Sequence, residues 1–151
     1  MAKLIMLIGI PGSGKTTYSK ELKEKYDAKV ISTDKVRQTF KDIEEKDVFP
    51  TVYRLSIEEL KNGRNVILDA THITPKVRKR SFDALDEYGV AYEKVAVYVD
   101  TPVEECARRV EKRNLDPNEL FLPVEVVYSY GQNIIPPTKE EGFSEIYIIK
   151  K

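Results

Sequence analysis

The chain has 151 residues, which suits one domain over 1–151 with a single core. It is 41% hydrophobic and 33% charged, and its 25 Lys and Arg balance its 25 Asp and Glu. A formal net charge of zero excludes a molecule-wide basic footprint for nucleic acid, so any such contact must use a local patch. The one cysteine, Cys106, excludes an intramolecular disulfide and points to a reducing compartment. The apolar N-terminal run is too short for a membrane span and lacks a cleavage site. A cytoplasmic protein without membrane association is expected.

Taken in order, residues 3–9 read as a buried strand that leads into GIPGSGKTT, Gly9 to Thr17. That stretch fits G-x-x-x-x-G-K-[ST] through Gly9, Gly14, Lys15 and Thr16. Residues 15–26 then carry Tyr18, Leu22 and Tyr26 at i, i+4, i+8, a helical pattern. AKVIS, 28–32, is a short strand, and Asp34 and Arg37 stand where it meets the next helix, with Val36, Phe40 and Ile43 at helical spacing. EEKD, 44–47, is a charged turn or frayed helix. Residues 50–61 place Tyr53, Ile57 and Leu60 on one face, and Asn62-Gly63 stops them.

NVILDA, 65–70, is a compact strand ending in Asp69, followed by a loop over 71–74. Pro75 opens a helix with Val77, Ser81, Leu85 and Tyr88 on one face. Residues 91–100 form a strand, and Pro102 starts a helix whose buried stripe is Val103, Cys106, Ala107 and Val110. The pattern breaks over 114–122, and Pro123 opens a helix with Val124, Val127 and Tyr128. A Pro- and Gly-containing loop, 134–143, precedes a last strand, 144–150. Five apolar strands alternating with helices predict an α/β fold with a parallel sheet covered on both faces. Ligands of such sheets bind at the carboxyl ends of the strands, so the glycine loop, Asp34, Arg37, Asp69, Thr71 and Asp100 should share one rim.

The chemistry explains the spacing of the glycine loop. Backbone N–H groups from Gly12, Ser13, Gly14, Lys15, Thr16 and Thr17 can nest phosphate oxygens at a positive helix end. Lys15 adds a point charge for the terminal phosphates, and Thr16 offers a hydroxyl to Mg2+. ATP with Mg2+ is the expected cofactor, with other nucleoside triphosphates open as donors. Asp34 is either an N-cap or a base for an acceptor hydroxyl, with Arg37 as its solvated partner or as a cation for anionic groups. Asp69 could serve magnesium through water, fix an arginine, or cap the following helix. Lys76, Arg78, Lys79 and Arg80 are either a solvated helix start or a contact to a phosphate backbone. His72, the one histidine, reads as structural, and Cys106 as core. Arg109 and Arg113 precede the irregular 114–122 segment, and this helix, break and helix, centred on about 113–123, looks like the lid of small P-loop kinases. Their other reading is surface pairing with Glu104, Glu105 or Glu111.

IGIPGSGKTTYSKE, STDKVRQTF, ILDATHITPKVRKRSFDALDEYGVAYEKV, ARRVEKRN and LPVEVVYSY together resemble the 5′-kinase domain of phage and bacterial polynucleotide kinases. The specific signal is D-x-x-R at Asp34 and Arg37 joined to D-x-T-x-x-x-P-x-x-R at Asp69, Thr71, Pro75 and Arg78. The resemblance implies a three-layer P-loop fold of the adenylate-kinase kind with a small helical lid. It implies transfer of the γ-phosphate of ATP to the 5′-hydroxyl end of DNA or RNA. By similarity Asp34 is the general base, Arg37 holds the acceptor's phosphate and the transferring group, and Asp69 fixes Arg37. Lys15 and Thr16 hold ATP and Mg2+, and a lid arginine, Arg113 or Arg109, completes the site. The chain departs from the resemblance at Leu115-Asp116-Pro117-Asn118, where the phage enzyme has a second cation, and at His72, where asparagine is common. A small-molecule P-loop kinase and a nucleotide-operated binding module are the competing expectations. The acceptor pair Asp34 and Arg37 argues against the module.

Overall fold

A computed structural model describes residues 1–150. Five parallel strands are ordered β2-β3-β1-β4-β5, with β1 Lys3–Ile8, β2 Ala28–Ser32, β3 Asn65–Asp69, β4 Glu93–Asp100 and β5 Glu145–Lys150. β1 is central. Its Leu7 lies opposite Asp69 of β3, and its Ile8 opposite Tyr98 of β4. Leu4 to Ile8 are wholly buried, as a strand covered on both faces requires. Each such side chain stabilises the fold by about 2 kcal/mol relative to leaving it in water.

The helices are α1 Lys15–Tyr26, α2 Thr33–Thr39, α3 Val48–Lys61, α4 Pro75–Asp86, α5 Val103–Asn114 and α6 Val124–Asn133, with one-turn 3-10 helices at Glu45–Asp47 and Lys139–Glu141. Alternation along the strands sends Leu4, Met6 and Ile8 to a core shared with α3 and α4. Ile5 and Leu7 face the other way, against Leu22 of α1. A third cluster joins α5 and α6 to Ile10 of the glycine loop. The layers are therefore helix, sheet and helix, with α5 and α6 set against the phosphate loop. No helix among the described residues is long and apolar enough to cross a membrane.

Several local readings shift. α2 ends at Thr39, so Phe40 and Ile43 lie beyond it, and Phe40 is 43% exposed. The inward face of α4 is Arg78, Ser81, Phe82 and Leu85, while Tyr88 is exposed. The stripe expected at Val77, Ser81, Leu85 and Tyr88 is thus turned by about one residue, because Arg78 finds charged and carbonyl partners inside. β5 is an edge strand, so its Tyr147 and Ile148 remain 40% and 50% exposed. In the lid region, residues 115–123 form turns between α5 and α6. The Asn114 side-chain amide closes this loop, donating to Leu122 O at 2.8 Å and accepting from Leu122 N at 2.9 Å.

Candidate active site

The phosphate loop is held from three sides. Gly14 caps α1 at φ 98° and Gly12 adopts φ 83°, both in the left-handed region that favours glycine. A Cβ on Gly12 would lie 2.5 Å from the Cys106 carbonyl oxygen, so α5 itself demands glycine there. Thr101 Oγ1 donates to Ser13 O at 2.7 Å, and Arg109 Nη1 donates to Gly12 O at 3.1 Å. Gly9 N donates to Thr71 O at 3.2 Å, joining the loop to the turn after β3. The result is a fixed nest at the N-terminus of α1.

Lys15 is half-buried inside this loop. Burial pushes its ammonium below the ordinary lysine range; Asp69 and Asp34 pull it back up, and Arg113 presses it down again. These four residues from α1, β3, α2 and α5 therefore share one electrostatic field. Thr16 Oγ1 donates to Asp69 Oδ2 at 3.4 Å. Burial raises the Asp69 carboxyl, with Lys15 acting in the opposite sense and Asp34 adding to the rise. A hydroxyl and a carboxylate at the mouth of a phosphate nest are hard oxygen donors that fit Mg2+.

Neither acidic residue serves as a helix cap. Ser32 caps α2 through Lys35 N at 3.0 Å, and Thr74 caps α4 through Val77 N at 3.2 Å. Asp34 is left on the first turn of α2 with its side chain 77% exposed. Arg37 Nη1 donates to Asp34 Oδ1 at 2.9 Å, while its Nε and Nη2 fork onto Glu45. Glu45 is the strongest influence raising the Arg37 pKa, and its own carboxyl is held low by the same hydrogen bond. The expected tie from Asp69 to Arg37 is not formed: Asp69 bonds Thr16, and Arg37 is taken by Asp34 and Glu45. Sequence reasoning missed Glu45, whose only signal was its place in the acidic run at 44–47.

The remaining cations separate clearly. Arg109 leans onto the phosphate loop and also pairs with Glu105 at 3.1 Å, while Arg108 pairs with Glu105 alone. Arg113 is exposed; its carbonyl accepts from Asp116 N at 3.0 Å, and its guanidinium has no hydrogen-bond or ion-pair partner among the described residues. Its charge nevertheless acts on Lys15. Thr17 is exposed on the first turn of α1, and Thr71 is half-buried beside Gly9. In the basic run of α4, Lys76, Lys79 and Arg80 are exposed, and Lys79 pairs with Asp83 at 2.7 Å. Arg78 is wholly buried, which removes it from any surface contact to a phosphate backbone.

A phosphate nest at the carboxyl rim of this parallel sheet, with the Asp34 carboxylate of α2 acting on its lysine, is the layout of a P-loop kinase. The chain belongs to the AAA_33 family, described as an AAA domain, whose model matches residues 4–137. It is 29% identical over 127 residues to the L-seryl-tRNA(Sec) kinase of Methanococcus maripaludis, covering 78% of this chain and 49% of that protein. It is 23% identical over 146 residues to the bifunctional polynucleotide phosphatase/kinase of Schizosaccharomyces pombe, covering 95% of this chain and 32% of that protein. The chain thus spans about half and about a third of these relatives. The fold superposes on Chaetomium thermophilum Kti12 in complex with ADP-AlF3 with a TM-score of 0.72 at 18% identity, over 97% of this chain and 88% of that one.

Proposed function

We propose that this chain transfers the γ-phosphate of ATP to the 5′-hydroxyl end of a polynucleotide, DNA or RNA. The observation that carries the reading is the exposed Asp34–Arg37 pair, 2.9 Å apart, on a helix whose carboxylate lies within the field of Lys15. A donor cradle alone needs no such pair; an acceptor alcohol needs a base and a cation beside it. Both relatives above carry a nucleic acid in their names, which fits a hydroxyl presented on one.

In this reading Asp34 takes the proton of the attacking hydroxyl, a role worth about 10²–10⁴ in rate. Arg37 holds the acceptor's adjacent phosphate once that phosphate replaces Glu45 on its fork. Lys15 and the N–H groups from Gly12 to Thr17 hold the donor phosphates, and Thr16 with Asp69 would hold Mg2+. Bound there, the metal supplies neutralisation of phosphate charge. The Arg113 guanidinium, without a hydrogen bond or ion pair among the described residues, can swing onto the transferring group, while Arg109 fixes the loop through Gly12 O. Exposed Lys76, Lys79 and Arg80 are candidates to contact the rest of the strand. A single kinase domain in the cytoplasm accords with this reading.

The competing reading, a kinase for a small hydroxyl compound, draws support from zero net charge and from a lid loop that holds Asp116 and Glu119 but no cation. Labelled ATP with a 5′-hydroxyl oligonucleotide separates the two. Label on the oligonucleotide, lost in Asp34→Ala while ATP still binds, is the expected result. Label moving only to sugars or nucleosides would give the site to a small acceptor. Normal turnover in Asp34→Ala would remove Asp34 as the base.

A further inference from the structure

The D-x-T-x-x-x-P-x-x-R run ends on an arginine that takes no part in the phosphotransfer just described. Arg78 is nevertheless the largest side chain wholly buried among the described residues. Its Nε and Nη2 donate to the two oxygens of Glu141 at 2.6 and 3.1 Å. Nη1 donates to the His72 carbonyl at 2.8 Å, and Nη2 also reaches Pro136 O at 3.4 Å. Glu141 is in turn held by Thr138 N at 2.9 Å and Thr138 Oγ1 at 3.2 Å. Packing alone gives no reason for this set, because apolar residues of similar volume generally replace buried ion pairs at little or no cost.

The bond to His72 supplies the reason. His72 holds φ 47°, a left-handed conformation rare for a residue with a side chain. Such strain persists only where the surroundings over-determine it. Here three successive carbonyls are each pinned to a different element. Thr71 O accepts from Gly9 N of the phosphate loop at 3.2 Å, His72 O from Arg78, and Ile73 O from Ile135 N at 2.8 Å. Asp69, the partner of Thr16, enters this turn from β3.

We propose that Arg78 is a positioning residue for the donor site, clamped by Glu141 so that its third arm holds the strained turn at His72 and thereby registers Thr71 against Gly9 and Asp69 against Thr16. The inference rests on the kinase reading above. It assigns the buried arginine to nucleotide affinity rather than to acceptor binding, since none of its partners belongs to α2. It also couples the 134–143 loop, distant in sequence, to the phosphate loop.

Arg78→Lys tests it, because lysine keeps the charge beside Glu141 but cannot span both Glu141 and His72 O. A fluorescent ATP analogue is titrated without acceptor at a temperature where both proteins are folded, and transfer kinetics follow. The expected result is an ATP Kd raised about tenfold with the acceptor KM unchanged, since a turn displaced by about 1 Å suffices for losses of that order or larger. Glu141→Gln should move ATP affinity in the same direction, and it carries the test by the same criteria if the lysine variant does not fold. A lowered melting temperature with wild-type ATP affinity in the folded variant would overturn the proposal, as would equal losses for ATP and acceptor. Failure of the wild-type chain to bind the analogue would instead remove the kinase reading, and the proposal with it.

Discussion

Replacing His72 by asparagine should flatten the stability of this fold between pH 6.5 and 5. The imidazole is buried, its Nδ1–H donates to Leu7 O at 3.2 Å, and its Nε2 has no partner among the described residues. Burial pushes its pKa from 6.5 down to about 4, with the charges of Lys15 and Arg78 adding to the fall and hydrogen bonds to the Leu7 and Ala70 backbone opposing it. The unfolded chain therefore takes up a proton, as pH drops through 6.5, that the folded chain refuses. At about 1.4 kcal/mol per unit, the gap contributes about 3 kcal/mol of stability above pH 6.5 that is lost progressively toward pH 4. Against a total of about 5–15 kcal/mol this is a large share. Asparagine tolerates the left-handed backbone at φ 47°, and its amide can donate to the same carbonyl. Urea titrations at several pH values measure the effect. From pH 6.5 to 5 the wild-type protein should lose about 2 kcal/mol more than His72→Asn, at equal denaturant slope. Glu141, which burial pushes up but Arg78 and Thr138 hold low on balance, is common to both proteins. Parallel pH curves for the two proteins would refute the buried neutral imidazole.

Gly12→Ala should destabilise the protein by about 1–3 kcal/mol and abolish nucleotide binding, because the new methyl meets the Cys106 carbonyl at a backbone of φ 83°. Denaturant melts with an ATP-analogue titration check this, and wild-type behaviour in both would show that α5 yields. Lys15→Ala should fold normally yet transfer phosphate at least about 100-fold more slowly, read by single-turnover assay beside circular dichroism. Glu45→Gln should free the Arg37 fork and lower the KM of a phosphate-bearing acceptor about threefold, a modest change because the pair is solvent-exposed. A raised KM in that variant would mean that Glu45 orients Arg37 instead of competing for it.

What was legible in the sequence was local. Residues 15–26 and 28–32 match α1 and β2 residue for residue, because a phosphate loop fixes the helix start and the strand is bounded by turn chemistry. The glycine loop was legible for the same reason: one nonapeptide carries the motif. The pairings that cross the chain were not. Arg78 read as a surface cation because its partner Glu141 stands 63 residues away, and nothing in the α4 pattern announces a buried charge. Arg37 was assigned to Asp69, yet a carboxylate eight residues on, in an unremarkable acidic run, takes most of its donors. Arg109 reaches Gly12 O across 97 positions, a contact that only the fold brings about.

The same contrast separates the two halves of the site. The donor half is tied into the core by Thr101, Arg109 and the turn at His72, and even a methyl on Gly12 has no room. The half proposed for the acceptor rests on a seven-residue helix and a one-turn 3-10 helix whose Asp34 and Glu45 side chains are exposed. Substitutions on such exposed ground generally change stability by no more than about 0.5 kcal/mol. Substitutions on the proposed acceptor surface should therefore leave the fold and the phosphate loop intact. On the reading proposed above, acceptor choice would then be set in the exposed parts of α2, the turn at Glu45 and the 115–123 loop, where substitution costs the fold little.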